Sequence, residues 1–557
     1  MRIQNTVCCD VLVAGGGIAG LMAAIAAADG GASVVIAEKA NTLRSGAGAT
    51  GNDHFVCYIP EIHGDFQEYM KELRQCQSGT WADDDLLQLF ARRSFEVAQD
   101  WHRWGISMKT GTDGNWYFLG HAFPDHMRIH LKYDGRNQKR VLTAEAKKRG
   151  VRIVNRCPVT EFLTDGNGRI AGALGLDTSR KEPALTLFQA KCVIASTGAT
   201  TRLYSSITPA MLFNISNCPA NAGAGLAAAY RAGATLVNVE MPVYPAGPKF
   251  FARAGKGTWI GVLRNRKGEN IGPFLERPSK ELGDITGDVW PTVFQDKMKD
   301  GTGPTYCDCH EISQEDYEYM MWAFSCEGDT SLVDAMERQN IDLRRHMVEF
   351  GTYAGGVLDR GVQIDETCAT DVPGLFAAGN QIGNLCGHIA GAAVTGRIAG
   401  EAAARCAAGR TPAGGLEDHP VVRERSAFYD SLMERPSGAR WQEVNIAVNQ
   451  ILDDYSAVSG VRSENLLRSG LLYLDQLRGY ARDQVSCASA HELMRALEAF
   501  DLMEIGGIIC AASLLRQESR GPFQRSDYTF TNPMYNGKFI TVRRENGVPQ
   551  AAWRAAR

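Results

Sequence analysis

The chain has 557 residues, 44% hydrophobic and 22% charged, a size and balance that suit a globular protein of at least two domains. Fifty-nine basic against sixty-three acidic residues leave a net charge of −4, which argues against a general binder of nucleic-acid backbones. Glycine is the outlier at 59 residues; with only 20 prolines and no Gly-X-Y period, collagen is excluded and special turns or close backbone approaches are implied.

Val11 to Ala28 is uncharged and ends in small residues, so it mimics a signal peptide. Gly15-Gly16-Gly17 would make a poor apolar centre, however, and Asp10 stands directly before it. No other stretch approaches a membrane span, and a cytoplasmic protein is expected.

The same segment reads as strand, turn and helix. Asp10 to Ala14 suits a buried parallel strand. Gly15-x-Gly17-x-x-Gly20 follows, then an Ala/Leu/Met-rich helix to Gly30-Gly31, and a second strand from Ser33 that ends at Glu38. In such a dinucleotide fingerprint Gly15 allows the tight turn, Gly17 admits a pyrophosphate, and Gly20 lets helix pack on strand. The helix N-terminus, with Ile18 and Ala19, faces the phosphates. Glu38 can accept hydrogen bonds from an adenosine ribose, with Lys39 beside it. Next comes a small-residue run from Arg44, Ser45 and Gly46 to Thr50, Gly51 and Asn52, able to lie against a flat ring. A later apolar strand ends in Ser196-Thr197-Gly198, and another ends at Gly379-Asn380. A dinucleotide site assembled from distant parts of the chain is typical of flavoproteins, whose cofactor stays bound.

The fifteen cysteines are scattered, with Cys307-Asp308-Cys309-His310 the one tight cluster after Cys8-Cys9. No C-x2-C-x2-C run exists, so neither a resident iron–sulfur cluster nor another metal site is expected. His126 and His130 would share a helix face at i, i+4, but Pro124 interrupts the pattern, and with His121 they read as packing histidines. Trp101, Trp104, Trp116 and Tyr117 read as core or subunit interface.

These motifs resemble the flavoprotein subunits of fumarate reductase, succinate dehydrogenase and adenylylsulfate reductase, over nearly the whole chain. Besides the fingerprint, the resemblance rests on Arg44-Ser45, Asn221-Ala-Gly-Ala-Gly225, Gly268-Glu269, Gly303-Pro304, Gly355-Gly356-Val357 and the Ala-Ala-Gly379-Asn380 turn. It ends with Glu518-Ser-Arg-Gly-Pro-Phe-Gln-Arg525-Ser-Asp527-Tyr528, similar to the family's C-terminal signature. The resemblance implies an α/β fold: a Rossmann-type FAD-binding domain over 1–240 and 351–411, and an inserted capping domain over 241–350 entered through Pro242, Pro245 and Pro248. A helical domain over 412–520 and a turn-rich tail over 521–557 complete it. It also implies FAD contacts from Val159, Asn221, Ala393 and Val394 beside the motif residues already named.

Departures from the family carry the functional information. Gly46 stands where members with covalent flavin place a His, so FAD is expected to be held non-covalently. The stretch Glu240 to Pro248 lacks the His of succinate and fumarate enzymes, and Asn384 to Gly391 lacks their Arg. Fumarate and succinate are therefore poor substrate candidates. Similarity to the adenylylsulfate reductase branch is closer around Arg44 to Ala47 and in Ala254-Gly-Lys-Gly-Thr-Trp259-Ile, although the Arg that branch places after the entry proline is missing.

Arg253 and Lys256 could clamp an anion, and His388, just before a glycine-led helix, could serve as acid/base. One of Asn52, Asp53 and His54 is expected to face the substrate. The expectation is an FAD-dependent reductase or dehydrogenase acting on a small anionic substrate at flavin N5, by hydride transfer or an N5 adduct with a sulfur-oxo anion. It would exchange electrons with a separate ferredoxin-like iron–sulfur subunit in a hetero-oligomer. The alternatives are adenylylsulfate reductase α subunit proper and a non-catalytic flavin electron-relay subunit.

Overall fold

A computed structural model describes the chain except for 77–78, 121–125, 206–216, 244–245, 250–256, 272–275, 283–292, 353–355 and 457–460. A seven-stranded sheet forms its centre, in the order Arg152–Asn155, Val34–Glu38, Ile3–Ala14, Ala184–Ala195, Ile170–Asp177, Val159–Thr164. Leu375–Ala377 runs parallel to the end of Ala184–Ala195, with Phe376 opposite Ile194. Val11, Leu12, Val13 and Ala14 are fully buried, as a central parallel strand requires. Their ladder sets Val13 against Ile36 on one side and Ile194 on the other. The fingerprint loop therefore leaves the carboxyl end of a fixed strand.

The helix Ile18–Asp29 packs on the helix His388–Ala408. Glycines make this contact possible: a Cβ at Gly396 would lie 2.3 Å from the Ala19 carbonyl oxygen, and one at Gly400 2.2 Å from that of Ala23. Part of the glycine excess thus serves helix crossing rather than a ligand.

A second sheet, in the order Ala246–Pro248, Val348–Thr352, Thr305–Asp308, Val262–Arg264, belongs to the inserted region. It has its own apolar core, which includes Trp259, Ile260, Met320, Phe324, Leu332 and Phe350. The helices Pro420–Met433, Trp441–Tyr455, Glu464–Gln484 and Ala490–Leu515 follow, as the helical spacing predicts.

Two readings change. The final stretch is no turn-rich tail: Lys538–Glu545 and Val548–Ala555 form a hairpin whose Val542 pairs with Leu236. His126 and His130 share no helix face, since His130 lies in the strand His130–Lys132 and His126 contacts Glu72 at 2.7 Å; His121 and Pro124 lie outside the described residues. Four residues of the C-terminal signature, Glu518, Ser519, Phe523 and Arg525, are buried scaffold, and Arg516 just before it joins them. Arg516 bonds Glu240 at 2.7 Å and Glu518 at 2.8 Å, and Arg525 holds Asp527 at 2.7 Å.

No helix among the described residues is long and apolar enough to cross a membrane.

Candidate active site

Each fingerprint glycine has its own geometric reason. Gly15 has φ +101°, and a Cβ there would sit 2.6 Å from the Ser196 carbonyl oxygen. At Gly20 a Cβ would come within 1.9 Å of the Gly15 carbonyl, whereas at Gly17 it would meet nothing within 4 Å. The loop is tight behind and open in front. Glu38 ends its strand buried, accepting from the Gly16 N–H at 2.6 Å and the Ala40 N–H at 2.7 Å. Lys39 turns away, to the Ala220 carbonyl and to Glu498 at 2.8 Å.

The later motifs close around the loop. Ser196 Oγ donates to the Ala14 and Gly15 carbonyls, both at 3.0 Å. Thr197 donates through N–H and hydroxyl to Gln381 Oε1 at 2.8 Å. Gly198, with φ +81°, would carry a Cβ 2.7 Å from the Asn221 amide nitrogen. The Gly379 N–H donates to Thr395 Oγ1 at 3.0 Å, and the Asn380 carbonyl accepts from Asp359 N–H at 3.2 Å. Ile18, Ala19, Val159, Ala393 and Val394 are buried. Arg44 is exposed, and Gly46 (φ +83°) approaches Gly17, its Cβ position 3.4 Å from the Gly17 Cα.

Sequence reasoning missed the layer beneath. Lys139 Nζ bonds the Gly16 carbonyl, Gln138 Nε2 the Gly48 carbonyl at 2.8 Å, and Tyr133 OH donates to Gln138 at 2.8 Å. Burial lowers the Lys139 ammonium to about 8, partly offset by Glu38. The single sign in the sequence is Asn137 before a helix-length run, which marks an element and not a buried cation.

The small-residue run then meets the cap. Thr50 Oγ1 donates to the Glu327 carbonyl at 2.7 Å, and Gly51, at φ +129°, would place a Cβ 1.9 Å from the Cys326 carbonyl. Asn52 Nδ2 donates to the His54 carbonyl at 2.5 Å. Asp53 is wholly buried and gathers His54 Nδ1 at 2.7 Å, Lys132 Nζ at 3.1 Å and Thr258 Oγ1 at 3.0 Å. Burial alone would raise the Asp53 carboxyl, but Lys132 and then His54 hold it below the usual range. Burial likewise opposes charge on Lys132, yet Asp53 keeps its ammonium above the ordinary value. Ligand atoms of Asp53, His54 and Glu327 lie within 4.8 Å of one another, and the Lys132 ammonium supplies positive charge at that place.

The strand His54–Val56 packs against the helix that starts at His388, which has φ +49°. The helix thus begins at His388 itself, three residues ahead of the glycine that the sequence suggested. Atoms of His388, Cys386 and Asp359 cluster within 4.8 Å, and Cys386 Sγ donates to Asp359 Oδ2 at 3.2 Å. Beside them Arg360 is 5% exposed; its Nη1 donates to the Asp359 carbonyl at 2.6 Å, and its Nε has no hydrogen-bond partner among the described residues. Burial pulls its guanidinium below the ordinary value, against Cys386, Asp359 and Glu240. Arg253 and Lys256 lie outside the described residues.

A glycine loop on a parallel strand, an acidic strand end, and a capping module over a polar seam define a flavoprotein oxidoreductase. Residues 10–396 match the FAD binding domain family and 447–546 the fumarate reductase flavoprotein C-terminal family. The chain belongs to this family of FAD-dependent flavoprotein oxidoreductases, with fumarate reductase, aspartate oxidase and adenylylsulfate reductase among its members. It is 24% identical to a chain of the fumarate reductase (CoM/CoB) of Methanothermobacter marburgensis, over 96% of this chain and 97% of that one. With L-aspartate oxidase of Streptomyces coelicolor it shares 23% identity over 96% and 91%. Its fold is that of adenylylsulfate reductase from Archaeoglobus fulgidus, at a TM-score of 0.85, 22% identity and coverage of 100% and 96%. The E. coli quinol fumarate reductase gives 0.81, 19%, 99% and 97%.

The cofactor is FAD, and the residues fit it. Gly17 and Gly391 leave open space where a Cβ would project. Ser45 Oγ and Gln381 Nε2 are buried polar atoms with no hydrogen-bond partner among the described residues, as expected where a ligand supplies it.

Proposed function

We propose that this flavoprotein is a reductase or dehydrogenase of a small anionic substrate, exchanging electrons with a separate ferredoxin-like iron–sulfur protein. The observation that carries the reading is Arg360, a buried guanidinium next to Asp359 and Cys386 whose Nε lacks a partner among the described residues. A desolvated cation with a donor to spare is set up for a carboxylate or sulfur-oxo anion. Arg253 and Lys256 would add charge from the cap. FAD, when bound, supplies two-electron exchange at N5. His388 and His54, on adjoining elements, carry the imidazoles that would exchange a proton with the substrate.

The relatives' names add support: fumarate and aspartate are both small dicarboxylates. Fumarate itself is disfavoured by the missing His after Glu240 and the missing Arg after Asn384. The iron–sulfur partner is proposed because the sequence holds no run of cluster ligands.

Flavin redox change on adding fumarate, sulfite with AMP, or unsaturated acids tests the reading. Arg360→Leu is expected to raise half-saturation for a responsive anion at least about tenfold, the loss of a charged hydrogen bond. No response to any anion, with rapid reduction by a ferredoxin, would sink the substrate reading in favour of an electron relay.

A further inference from the structure

The buried group at the seam points to a function of its own. Asp53 is enclosed, and its two oxygens receive donors from three directions: His54 Nδ1 at 2.7 Å on Oδ1, with Lys132 Nζ at 3.1 Å and Thr258 Oγ1 at 3.0 Å on Oδ2. His54 and Lys132 come from paired strands, in direct register with each other. Thr258 comes from the cap, where its N–H donates to Glu327 Oε2 at 2.7 Å. Tyr319, also from the cap, sets its ring 5.9 Å from the Lys132 ammonium. His130 places its ring 5.7 Å from that of His54. One carboxylate therefore ties the two modules together and at the same time holds one face of an imidazole.

We propose that Asp53 and Lys132 are positioning residues for His54, and that the cap completes their work through the Thr258 hydroxyl, so that seating the cap orients the imidazole. An ionised carboxylate accepts only, so His54 carries its proton on Nδ1 and presents Nε2 as its second nitrogen. A carboxylate with both oxygens occupied cannot rotate without breaking a bond, and the imidazole inherits that rigidity. Lys132 keeps Asp53 ionised inside the protein, where an unpaired carboxylate would take up a proton. With the cap lifted, Oδ2 loses Thr258, the Tyr319 ring leaves the Lys132 ammonium, and the imidazole is held less firmly.

The proposal rests on His54 as an acid/base group, but ring-nitrogen NMR reads orientation without turnover, so the two can fail separately. FAD-loaded full-length protein labelled with nitrogen-15 histidine is compared with Asp53→Ala, Thr258→Val and Thr258→Ser, the His54 signal being assigned by its loss in His54→Gln. The expected result is one downfield Nδ1–H proton in the wild type, lost in Asp53→Ala, shifted in Thr258→Val and restored in Thr258→Ser. Thr258→Val keeps the side chain's shape, so it remains informative where Asp53→Ala does not fold. An unchanged Nδ1–H signal in either Asp53→Ala or Thr258→Val overturns the proposal. Independently, His54→Gln should slow reoxidation of the photoreduced flavin by a responsive anion about 100-fold; an unchanged rate removes the catalytic reading and leaves the positioning one standing.

Discussion

Lys139 bonds the carbonyl of Gly16 from the side of the glycine loop away from its open face. In a trans peptide C=O and N–H point in opposite directions, so a carbonyl held inward turns the Gly17 N–H outward. The lysine thus sets the donor that a pyrophosphate would meet. Lys139→Met should weaken FAD binding by about 1.5–3 kcal/mol, the range for a hydrogen bond from a charged group. Flavin fluorescence titration measures it, and an unaltered Kd would count against this role. The lysine's ammonium lies near 8 when folded against 10.5 free, so its burial cost is complete below 8 and relieved as pH rises towards 10.5.

Gly46 offers no side chain to bond a flavin ring. Acid precipitation should therefore release the yellow cofactor into the supernatant. Flavin that stays with the pellet would contradict non-covalent attachment.

At Gly400 a Cβ would lie 2.2 Å from the Ala23 carbonyl oxygen and 2.9 Å from Ala26 Cβ. Gly400→Ala should cost about 1–3 kcal/mol through overpacking, seen as a lower urea midpoint. Gly409→Ala, where nothing lies within 4 Å of the Cβ position, should stay within about 0.5 kcal/mol of the wild type. Equal effects at both positions would refute the packing argument.

Two buried carboxylates predict opposite pH behaviour. Burial would raise Glu498, but Lys39, Arg202 and Arg495 bring it to about 2. Its stabilising contribution is complete above its free value of 4.5 and is lost as pH falls towards 2. Asp501 goes the other way: burial raises it to about 7, more than Arg231 can pull it down, with Glu161 and Glu504 sharing the same guanidinium. The folded chain then holds a proton that the unfolded chain releases, so Asp501 makes stability decline as pH rises from 3.8 towards 7. Asp501→Asn should flatten that decline by on the order of 1–2 kcal/mol in urea titrations at successive pH values. A decline of unchanged slope would show that Asp501 is not its source.

What the sequence revealed was whatever is local. The fingerprint could be read because strand, three glycines and acid follow in order, and each residue's job depends on near neighbours. The C-terminal signature was visible too, but its Glu518 turned out to bond Arg516, which also holds Glu240, and its Arg525 to bond Asp527. The seam was hidden for the opposite reason. Asp53 meets Lys132 and Thr258 from two distant stretches of chain; Lys132 has no motif around it, and the run from Ala254 to Ile260 that holds Thr258 names no partner for it. Arg360 was overlooked because an arginine after Gly355-Gly356 reads as a loop cation until its burial is known.

Leu375–Ala377 docks beside Ala184–Ala195 only after the entire cap has been made, and the Lys538–Glu545 strand joins Leu236 and Val237 later still. On the ribosome, Val193, Ile194 and Ala195 therefore wait with one edge open while the cap, which has its own core, is free to collapse. A nascent chain stalled after the cap would display that edge to its neighbours, so the yield of this protein should depend on how quickly translation passes residue 377.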